Sequence, residues 1–216
     1  MEIYVVKKGD NVDDIADLCG VSVESIIYDN QLVYPYSLAV GPALLIDNGG
    51  VRANRRKAYI RGFAYPFISK YVLDETLPSL SELTIFSYGF TEEGYLLAPH
   101  LNDTFMIEKA LSNMTEPILT LTPFDRSGNF SNELISKVVN NQDAIDTLIV
   151  QLLDTVKNKG FLGVDIDFEY IKATDRDAFV EFVRQITETM NENGYSVSVD
   201  LAPKISADQS GLLYEG

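Results

Sequence analysis

Three acidic residues stand at alternate positions in the segment Phe-Leu-Gly-Val-Asp-Ile-Asp-Phe-Glu-Tyr, residues 161–170. Alternate side chains of a β-strand share one face, so Asp165, Asp167 and Glu169 would lie together at a Cα spacing of roughly 6–7 Å. The residues between them are apolar, which is typical of a parallel strand covered by helices. Burial and repulsion both oppose ionisation of such closely spaced acids. One acid held protonated beside an ionised one is prepared to act as a general acid.

Three other interpretations of this segment remain open. A solvated edge strand can carry three acids, although its opposite face is seldom so apolar. A calcium loop that began at Asp165 would need glycine at its sixth position, where the chain has Tyr170. A magnesium or phosphate site built on Asp-x-Asp is normally accompanied by a glycine-rich loop, and none is found nearby. Glycoside chemistry is the interpretation that accounts for all three acids.

The acidic segment resembles the Asp-Gly-x-Asp-x-Asp-x-Glu signature of glycoside hydrolase family 18, the chitinase-like enzymes. Gly163, Asp165, Asp167 and Glu169 match it, whereas Leu162 stands where the signature has its first Asp. The resemblance implies that Glu169 protonates the glycosidic oxygen and later activates water. It implies that Asp167 holds the 2-acetamido group of the substrate, whose carbonyl oxygen attacks the anomeric carbon. Asp165 would share a proton with Asp167.

Four further side chains are candidates for the sugar site because they lie at or near the ends of predicted strands. They are Tyr65, Tyr88, Tyr170 and Lys204. Packing or rim positions are the alternative interpretation of these residues. The only histidine, His100, has no neighbours in the sequence that would complete a metal site or a catalytic triad. We therefore expect neither a metal nor a cofactor.

The sequence pattern of residues 1–46 predicts a small unit in the order strand, helix, helix, strand. Residues 3–6 and 43–46 have strand character, Gly20 ends one helix and Ser22 caps the next. This pattern resembles a LysM domain along its whole length, which implies binding to N-acetylglucosamine-containing glycans such as peptidoglycan or chitin. The expected groove is formed by Gly9, Asp10, Asn11, Asn30, Gln31 and Leu32. For Asp10 and Asn30, helix capping is an equally open alternative.

Residues 47–57 predict a linker, because Gly-Gly is followed by a polar and basic run. From residue 58 onward strand and helix patterns alternate, which predicts an α/β fold with a parallel sheet. The strands are expected at residues 58–65, 83–90, 117–122, 163–170 and 196–202. The helices are expected at residues 74–80, 103–112, 132–139, 142–159 and 175–191.

The expected architecture is a (β/α)8 TIM-type barrel, in which chemistry lies at the C-terminal strand ends. Such a barrel seldom takes fewer than about 200 residues, and only five strands are predicted after the linker. We therefore expect a barrel truncated after about five strands, with residues 58–216 as a partial catalytic domain. An open sheet would expose an apolar face and an unpaired edge, so a missing C-terminal half-barrel is an expected partner.

The chain of 216 residues is acidic, with a formal net charge of −15 and an isoelectric point near 4.3. That charge disfavours nucleic acid and anionic membranes, and it is compatible with neutral glycans. A single cysteine, Cys19, excludes an intrachain disulfide. The first residues contain no basic region followed by an apolar core, and residues 38–46 are too short an apolar run to span a bilayer. We expect no secretory signal and synthesis in the cytoplasm.

Taken together, the two resemblances point to the spore-associated hydrolases of endospore-forming bacteria that act on cortex peptidoglycan fragments. The predicted function is an N-acetylglucosaminidase that uses a substrate-assisted retaining mechanism, with spore or cell-wall association. One alternative is a non-catalytic spore-coat protein that binds peptidoglycan or chitin through its LysM domain. A chitinase that acts on fungal chitin is a further alternative, with the same mechanism and a different pocket lining.

Overall fold

A computed structural model describes residues 1–49, 58–125, 127–206, 208–211 and 213. The chain divides into two compact units, Met1–Lys57 and Ala58–Gly216. Each unit has its own cluster of buried apolar side chains. Only residues 47–49 of the predicted linker lie within the described part of the chain, and its other positions lie outside it.

The first unit contains strands β1 (Glu2–Val5) and β2 (Ala43–Ile46), which pair antiparallel, and helices α1 (Val12–Cys19) and α2 (Val23–Asp29). The predicted order of strand, helix, helix and strand is observed. The helices begin and end where the sequence supplies caps: Ser22 Oγ accepts a hydrogen bond from Ser25 N at 3.0 Å, and Gly20 takes the left-handed conformation with φ of 66°. A small apolar core, centred on Ile15, Ile26 and Ile46, holds the helices to the strands.

The second unit is built on a sheet of parallel strands that alternate with helices. Its strands are β3 (Arg61–Ala64), β4 (Glu82–Phe90), β5 (Leu96–Leu97), β6 (Glu116–Leu121), β7 (Gly163–Ile166) and β8 (Ser196–Val199). Its helices are α3 (Lys70–Thr76), α4 (Thr104–Ser112), α5 (Asn132–Val139), α6 (Gln142–Lys159) and α7 (Arg176–Glu192). The parallel strands follow the order β3-β4-β6-β7-β8, and β5 pairs antiparallel with β4. The predicted α/β fold with a parallel sheet is thereby confirmed.

Several predicted boundaries were wrong by a few residues. The strand expected over residues 163–170 ends at Ile166, because the backbone leaves the extended conformation and reaches a φ of 56° at Tyr170. The strands expected over 58–65 and 196–202 are likewise shorter, and the helix expected from residue 74 already begins at Lys70, where Ser69 caps it. The short strand β5 was not predicted.

The two faces of the parallel sheet differ in chemistry. One face carries apolar side chains such as Ile85, Leu119 and Val164, which pack in one buried cluster with residues of the helices, including Leu148 and Phe182. Burial of each such side chain contributes roughly 1.5–3 kcal/mol to folding. The opposite face carries polar and charged side chains that are nevertheless largely buried: Arg61, Glu82, Thr84, Thr120, Asp165 and Ser198.

The polar face is concave. The guanidinium of Arg61 on β3 donates to Asp165 Oδ1 on β7 at 3.1 Å and to Ser198 Oγ on β8 at 2.9 Å. Strands β4 and β6 lie between β3 and β7, so the backbones of Arg61 and Asp165 would be roughly 14 Å apart in a flat sheet, and that of Ser198 would be farther still. The sheet therefore curves around its polar face. No helix in the described ranges is long and apolar enough to cross a membrane.

Candidate active site

The three acids of the sequence motif, called here the acid row (Asp165, Asp167 and Glu169), lie at the C-terminal end of β7 and just beyond it. Asp165 is completely buried within the strand, Asp167 is half-buried, and Glu169 is exposed. Asp167 and Glu169 line a cleft of about 920 Å³. The structure thus brings two of the three acids to one accessible site and places the third beneath it.

Three parts of the second unit form the walls of this cleft. Phe63 of β3 and Phe86 of β4 supply an aromatic wall, with their ring centroids 5.7 Å apart. The segment after β8, from Asp200 to Lys204, forms a second wall, and Phe179 near the start of α7 contributes to the third. A cleft with apolar walls and converging carboxyl groups at its base is a suitable site for a polar ligand that also has apolar faces, as a sugar does.

Asp165 is oriented by a hydrogen-bonded network. Its Oδ1 accepts hydrogen bonds from Arg61 and from the Ser198 hydroxyl, while Arg61 Nε donates to the buried carboxylate of Glu82. The other oxygen, Oδ2, is buried and accepts no hydrogen bond from any described residue. A buried carboxylate oxygen without a donor is costly, so the surroundings of Asp165 Oδ2 require an explanation.

Asp167 is placed where it can hold a proton near neutral pH. Burial, followed by the carboxylates of Glu169 and Asp165, raises the pKa of Asp167 from 3.8 to about 6. Both causes were expected from the sequence, because alternate acids on a buried strand lose solvation and repel one another. A carboxyl group with this pKa changes its charge in the pH range in which many hydrolases work.

Sequence reasoning missed the third acid that lines the cleft. Asp200 follows β8 as Asp167 follows β7, and burial, then the carboxylates of Asp165 and Asp167, raises its pKa to about 6. A signal was available, because Ser196, Ser198 and Asp200 are polar and alternate with two valines. The roles of Arg61 and Phe86 were also missed, because their contacts depend on the curvature of the sheet.

The other candidate sugar-site residues are distributed differently. Tyr170 and Lys204 both line the cleft. Tyr65 lies beside it: its ring stacks on Phe67 and lies 5.1 Å from the ring of Phe86, which lines the cleft. Tyr65 thus extends the aromatic wall beyond the acids.

Tyr88 does not line the cleft, which corrects the prediction made for it. Its side chain is 1% exposed, its hydroxyl donates to Asp103 Oδ2 at 2.6 Å, and Lys159 Nζ donates to that hydroxyl at 2.6 Å. The pKa of Tyr88 is raised by burial and by Asp103. The physical reason is a shift in the register of β4 between Ile85 and Tyr88, which moves Tyr88 to the face covered by helices.

In the first unit, three of the six predicted glycan-binding residues use their polar atoms within the unit. Asp10 Oδ2 accepts from Tyr4 Oη and from Lys7 N, both at 2.8 Å. Asn11 caps α1 by accepting from Asp14 N at 2.8 Å. Asn30 donates to Leu45 O at 2.8 Å and accepts from Leu45 N at 2.7 Å, which joins the end of α2 to β2.

The remaining three differ in exposure. Gly9 has a φ of 92°, and a side chain there would meet no atom within 4 Å, so this glycine is required by the turn and not by crowding. Gln31 is exposed with a φ of 51°, and Leu32 packs against the core of the first unit. Within the described residues, no group of three or more His, Cys, Asp and Glu side chains is arranged to hold a metal ion.

The parallel α/β architecture and the acidic cleft are similar to those of chitinase-like proteins, and comparisons with known proteins agree. Residues 4–47 match the family model described as the LysM domain. The chain is 30% identical to the putative sporulation-specific glycosylase YdhD of Bacillus subtilis (strain 168), over 94% of this chain and 48% of that protein.

Among solved structures, the chain is similar to the spore cortex-lytic enzyme SleL of Bacillus megaterium QM B1551. The TM-score is 0.71 at 27% identity, over 99% of this chain and 50% of that one. A class V chitinase of Pseudomonas fluorescens Pf-5 is similar over 74% of this chain and 49% of its own, with a TM-score of 0.67 and 23% identity, which shows a shared fold. The chain spans about half the length of the relatives it matches. The resemblances to the LysM domain and to chitinase-like enzymes are confirmed.

Proposed function

We propose that the second unit belongs to a glycoside hydrolase that cleaves N-acetylglucosamine-containing glycans, with Glu169 as the general acid and base. The observation that carries this proposal is the placement of Asp167 and Glu169 side by side in one cleft at the C-terminal end of a parallel strand. In parallel α/β folds, ligands bind at these ends. The relatives described as a sporulation-specific glycosylase and a spore cortex-lytic enzyme support the same class of reaction.

The exposure of the acids supports the roles that the family resemblance implies for them. Glu169 is exposed in the cleft, where it can reach the glycosidic oxygen, donate its proton as the bond to the anomeric carbon breaks, and later remove a proton from the attacking water. Asp167 lies deeper and would hold the 2-acetamido group, whose carbonyl oxygen forms the new bond to the anomeric carbon. Tyr170, Lys204 and the aromatic wall that includes Tyr65 would contact the sugar rings.

We further propose that the five parallel strands are the first five of a (β/α)8 barrel. The strand order follows the chain without reversal, and Arg61 reaches across the concave face to Asp165 and Ser198, as it would inside a barrel. The three strands needed for closure would pair with β8 and β3. They would come from a C-terminal half-barrel, since the relatives are about twice as long as this chain.

Residues 1–46 are proposed as the domain that binds the glycan, with residues 47–57 as a linker. The match of residues 4–47 to the LysM family supports a contribution of this unit to retention on an insoluble substrate. Because Asp10, Asn11 and Asn30 are engaged in internal hydrogen bonds, Gly9, Gln31 and the backbone of the two loops are the parts best placed to contact sugars. The LysM match also favours a second candidate function, a glycan-binding protein without catalysis.

Peptidoglycan fragments of the spore cortex are the proposed substrate, and spore association is the proposed location. The relatives named for sporulation and for cortex lysis favour this assignment over fungal chitin. A net charge of −15 is compatible with a largely neutral glycan backbone and unfavourable for anionic polymers.

One experiment tests both the proposed hydrolysis and the proposed glycan binding. Hydrolysis of the 4-methylumbelliferyl conjugates of N-acetylglucosamine and chitobiose would be measured together with retention on insoluble peptidoglycan. The 216-residue chain would be compared with the protein read to its natural stop codon. Glu169→Gln is expected to reduce hydrolysis roughly 10²–10⁴-fold, because it removes a general acid, and to leave retention unchanged. Glu108→Gln, an exposed glutamate on α4, is the matched control.

Normal hydrolysis by Glu169→Gln would refute the assigned role of that residue. Absence of hydrolysis from both wild-type proteins, combined with retention on peptidoglycan, would instead favour the non-catalytic binding function. Activity confined to the longer protein would support the proposal that additional strands complete the barrel.

A further inference from the structure

Asp200 lies beside the acid row at the end of the neighbouring strand, and the sequence motif does not include it. Strands β7 and β8 pair in parallel register with Asp165 opposite Ser198 and Ile166 opposite Val199. Asp200 N then donates to Ile166 O at 3.0 Å, which places Asp200 beside Asp167 on the neighbouring strand. Adjacent strands are about 4.8 Å apart, so the two carboxyl groups share the same corner of the cleft.

The unsatisfied oxygen of Asp165 provides an independent observation. Oδ1 of Asp165 already accepts hydrogen bonds from Arg61 and Ser198, whereas Oδ2 is buried and has no donor among the described residues. Asp200 lies two residues after Ser198, the partner of Asp165 in the strand register, so its carboxyl group is on the same face of the sheet and near that of Asp165. An ionised carboxylate can only accept hydrogen bonds, so Asp200 can satisfy Asp165 Oδ2 only when Asp200 is protonated.

We propose that Asp200 carries a proton and donates it in a hydrogen bond to Asp165 Oδ2, which makes Asp200 a positioning residue for the acid row. The proton then lies between β7 and β8 and not between Asp165 and Asp167. A neutral Asp200 removes one negative charge from the surroundings of Asp167, which leaves Asp167 better able to ionise and to accept the acetamido N–H of a substrate. This consequence for catalysis rests on the proposed function, whereas the position of the proton does not.

The charged surroundings are consistent with this assignment. Burial and the carboxylates of Asp165 and Asp167 raise the pKa of Asp200 to about 6, and Arg61 opposes that shift without cancelling it. The titratable and charged groups around Asp200 are Asp165, Asp167 and Glu169 on the β7 side, Arg61 on β3, Arg176 on α7 and Lys204 after β8. These carboxyl groups interact, so the cluster is expected to titrate as a coupled set.

The position of the proton can be tested without hydrolysis. In protein labelled with ¹³C at the aspartate carboxyl carbons, two aspartate resonances are expected to titrate with midpoints near pH 6. Asp200→Asn should remove one of them and Asp167→Asn the other. Asp154→Asn, which changes an exposed aspartate on α6, should remove neither. If Asp200→Asn fails to fold, wild type and Asp167→Asn are compared instead. The resonance that still titrates near pH 6 in Asp167→Asn is then that of Asp200.

The effect on catalysis is tested by comparing two substitutions. The side-chain amide introduced by Asp200→Asn can donate to Asp165 Oδ2 at every pH, so this variant should keep kcat within about threefold of wild type and move the alkaline side of the pH profile upward. Asp200→Ala supplies no donor and should lower kcat by about tenfold. A midpoint for Asp200 near 4 would overturn the proposal, as would equal losses of kcat in the two variants. If wild type hydrolyses nothing, the proposed function fails while the titration still decides where the proton lies.

Discussion

Asp10 in the first unit and Asp167 in the second each follow a strand, yet their surroundings shift their pKa values in opposite directions. The backbone N–H of Lys7 and the hydroxyl of Tyr4 lower the pKa of Asp10. Burial and two neighbouring carboxylates raise the pKa of Asp167 to about 6. Two donors converge on Asp10, while Asp167 faces a cleft whose nearest groups have the same charge.

This difference separates side chains that hold a fold together from side chains that are available for chemistry. Hydrogen bonds to a carboxylate or amide stabilise the native state and leave fewer polar atoms for a ligand. Repulsion between buried acids lowers the stability of the folded state. Such acids are typical of functional sites, where a shifted pKa serves the chemistry. Replacing the hydrogen-bonded polar residues of the first unit is therefore expected to lower its stability. Replacing the clustered acids of the second unit is expected to raise its stability and to lower its activity.

The largest stability effect is expected from Asn30→Ala in the first unit. This change removes the hydrogen bonds to Ile26 O, Leu45 O and Leu45 N, so we expect the free energy of unfolding of this unit to fall by about 2–4 kcal/mol. Amide hydrogen exchange, followed by mass spectrometry on peptides of the whole chain, should show faster exchange in residues 1–46 and unchanged exchange in the second unit.

Gln31→Asn is the control, because it changes the neighbouring residue and tolerates the left-handed backbone found there. We expect exchange in this variant to match wild type. If Asn30→Ala exchanged like wild type and yet failed to bind peptidoglycan, Asn30 would be a ligand contact, and the contrast between the two units would break down.

A smaller effect of opposite sign is expected from Asp167→Asn. The folded-state pKa of Asp167 is raised from 3.8 to about 6, so its ionisation destabilises the folded state progressively between about pH 4 and pH 6, and fully above pH 6. Asparagine does not ionise. After allowance for solvent screening of a half-buried carboxylate, Asp167→Asn should be more stable than wild type by about 1–2 kcal/mol at pH 7–8 and equal to it near pH 3.

Urea unfolding followed by circular dichroism at several pH values measures this difference. Stabilisation that was the same at pH 3 and pH 8 would point to better packing of the amide and not to relief of charge repulsion. Destabilisation at pH 8 would mean that Asp167 accepts favourable hydrogen bonds in the folded state, as Asp10 does.

The contrast also indicates what the sequence could predict. The alternation of acids and apolar residues in β7, and the alternation of strands with helices, are local patterns, and both correctly predicted a buried parallel strand with acids at its end. Tyr88 was expected at the sugar site because it lies near the end of a predicted strand. The register shift that turns it away from the cleft depends on the pairing of β4 with β6 and has no signature within β4 itself. Arg61 was missed because its contacts with Asp165 join residues far apart in the sequence and require a curved sheet.

Residue type alone did not distinguish structural from available polar groups. Asn30 and Asp200 have similar side chains and both lie at element ends. The partners of Asn30 are backbone groups of a strand 15 residues further along the chain, whereas Asp200 faces other acids from a neighbouring strand. These partners are determined by tertiary packing. Only the folded structure therefore shows that Asn30 stabilises the first unit and that Asp200 belongs to the candidate site.

The smallest effect is expected from Asp10→Asn in the first unit, and its dependence on pH has the opposite sign to that of Asp167→Asn. Because the folded-state pKa of Asp10 lies below 3.8, its carboxylate contributes stability that is present above the unfolded-state pKa and is lost as the pH falls through the folded-state value. Asparagine keeps an acceptor oxygen for Lys7 N and Tyr4 Oη, so Asp10→Asn should weaken the first unit slightly at pH 7 and match wild type near pH 2. Hydrogen exchange in residues 1–46 at both pH values measures this difference in stability.

An Asp10→Asn variant more stable than wild type at pH 7 would show that the Asp10 carboxylate, like that of Asp167, destabilises the folded state. Asp10 would then remain a candidate ligand for the glycan.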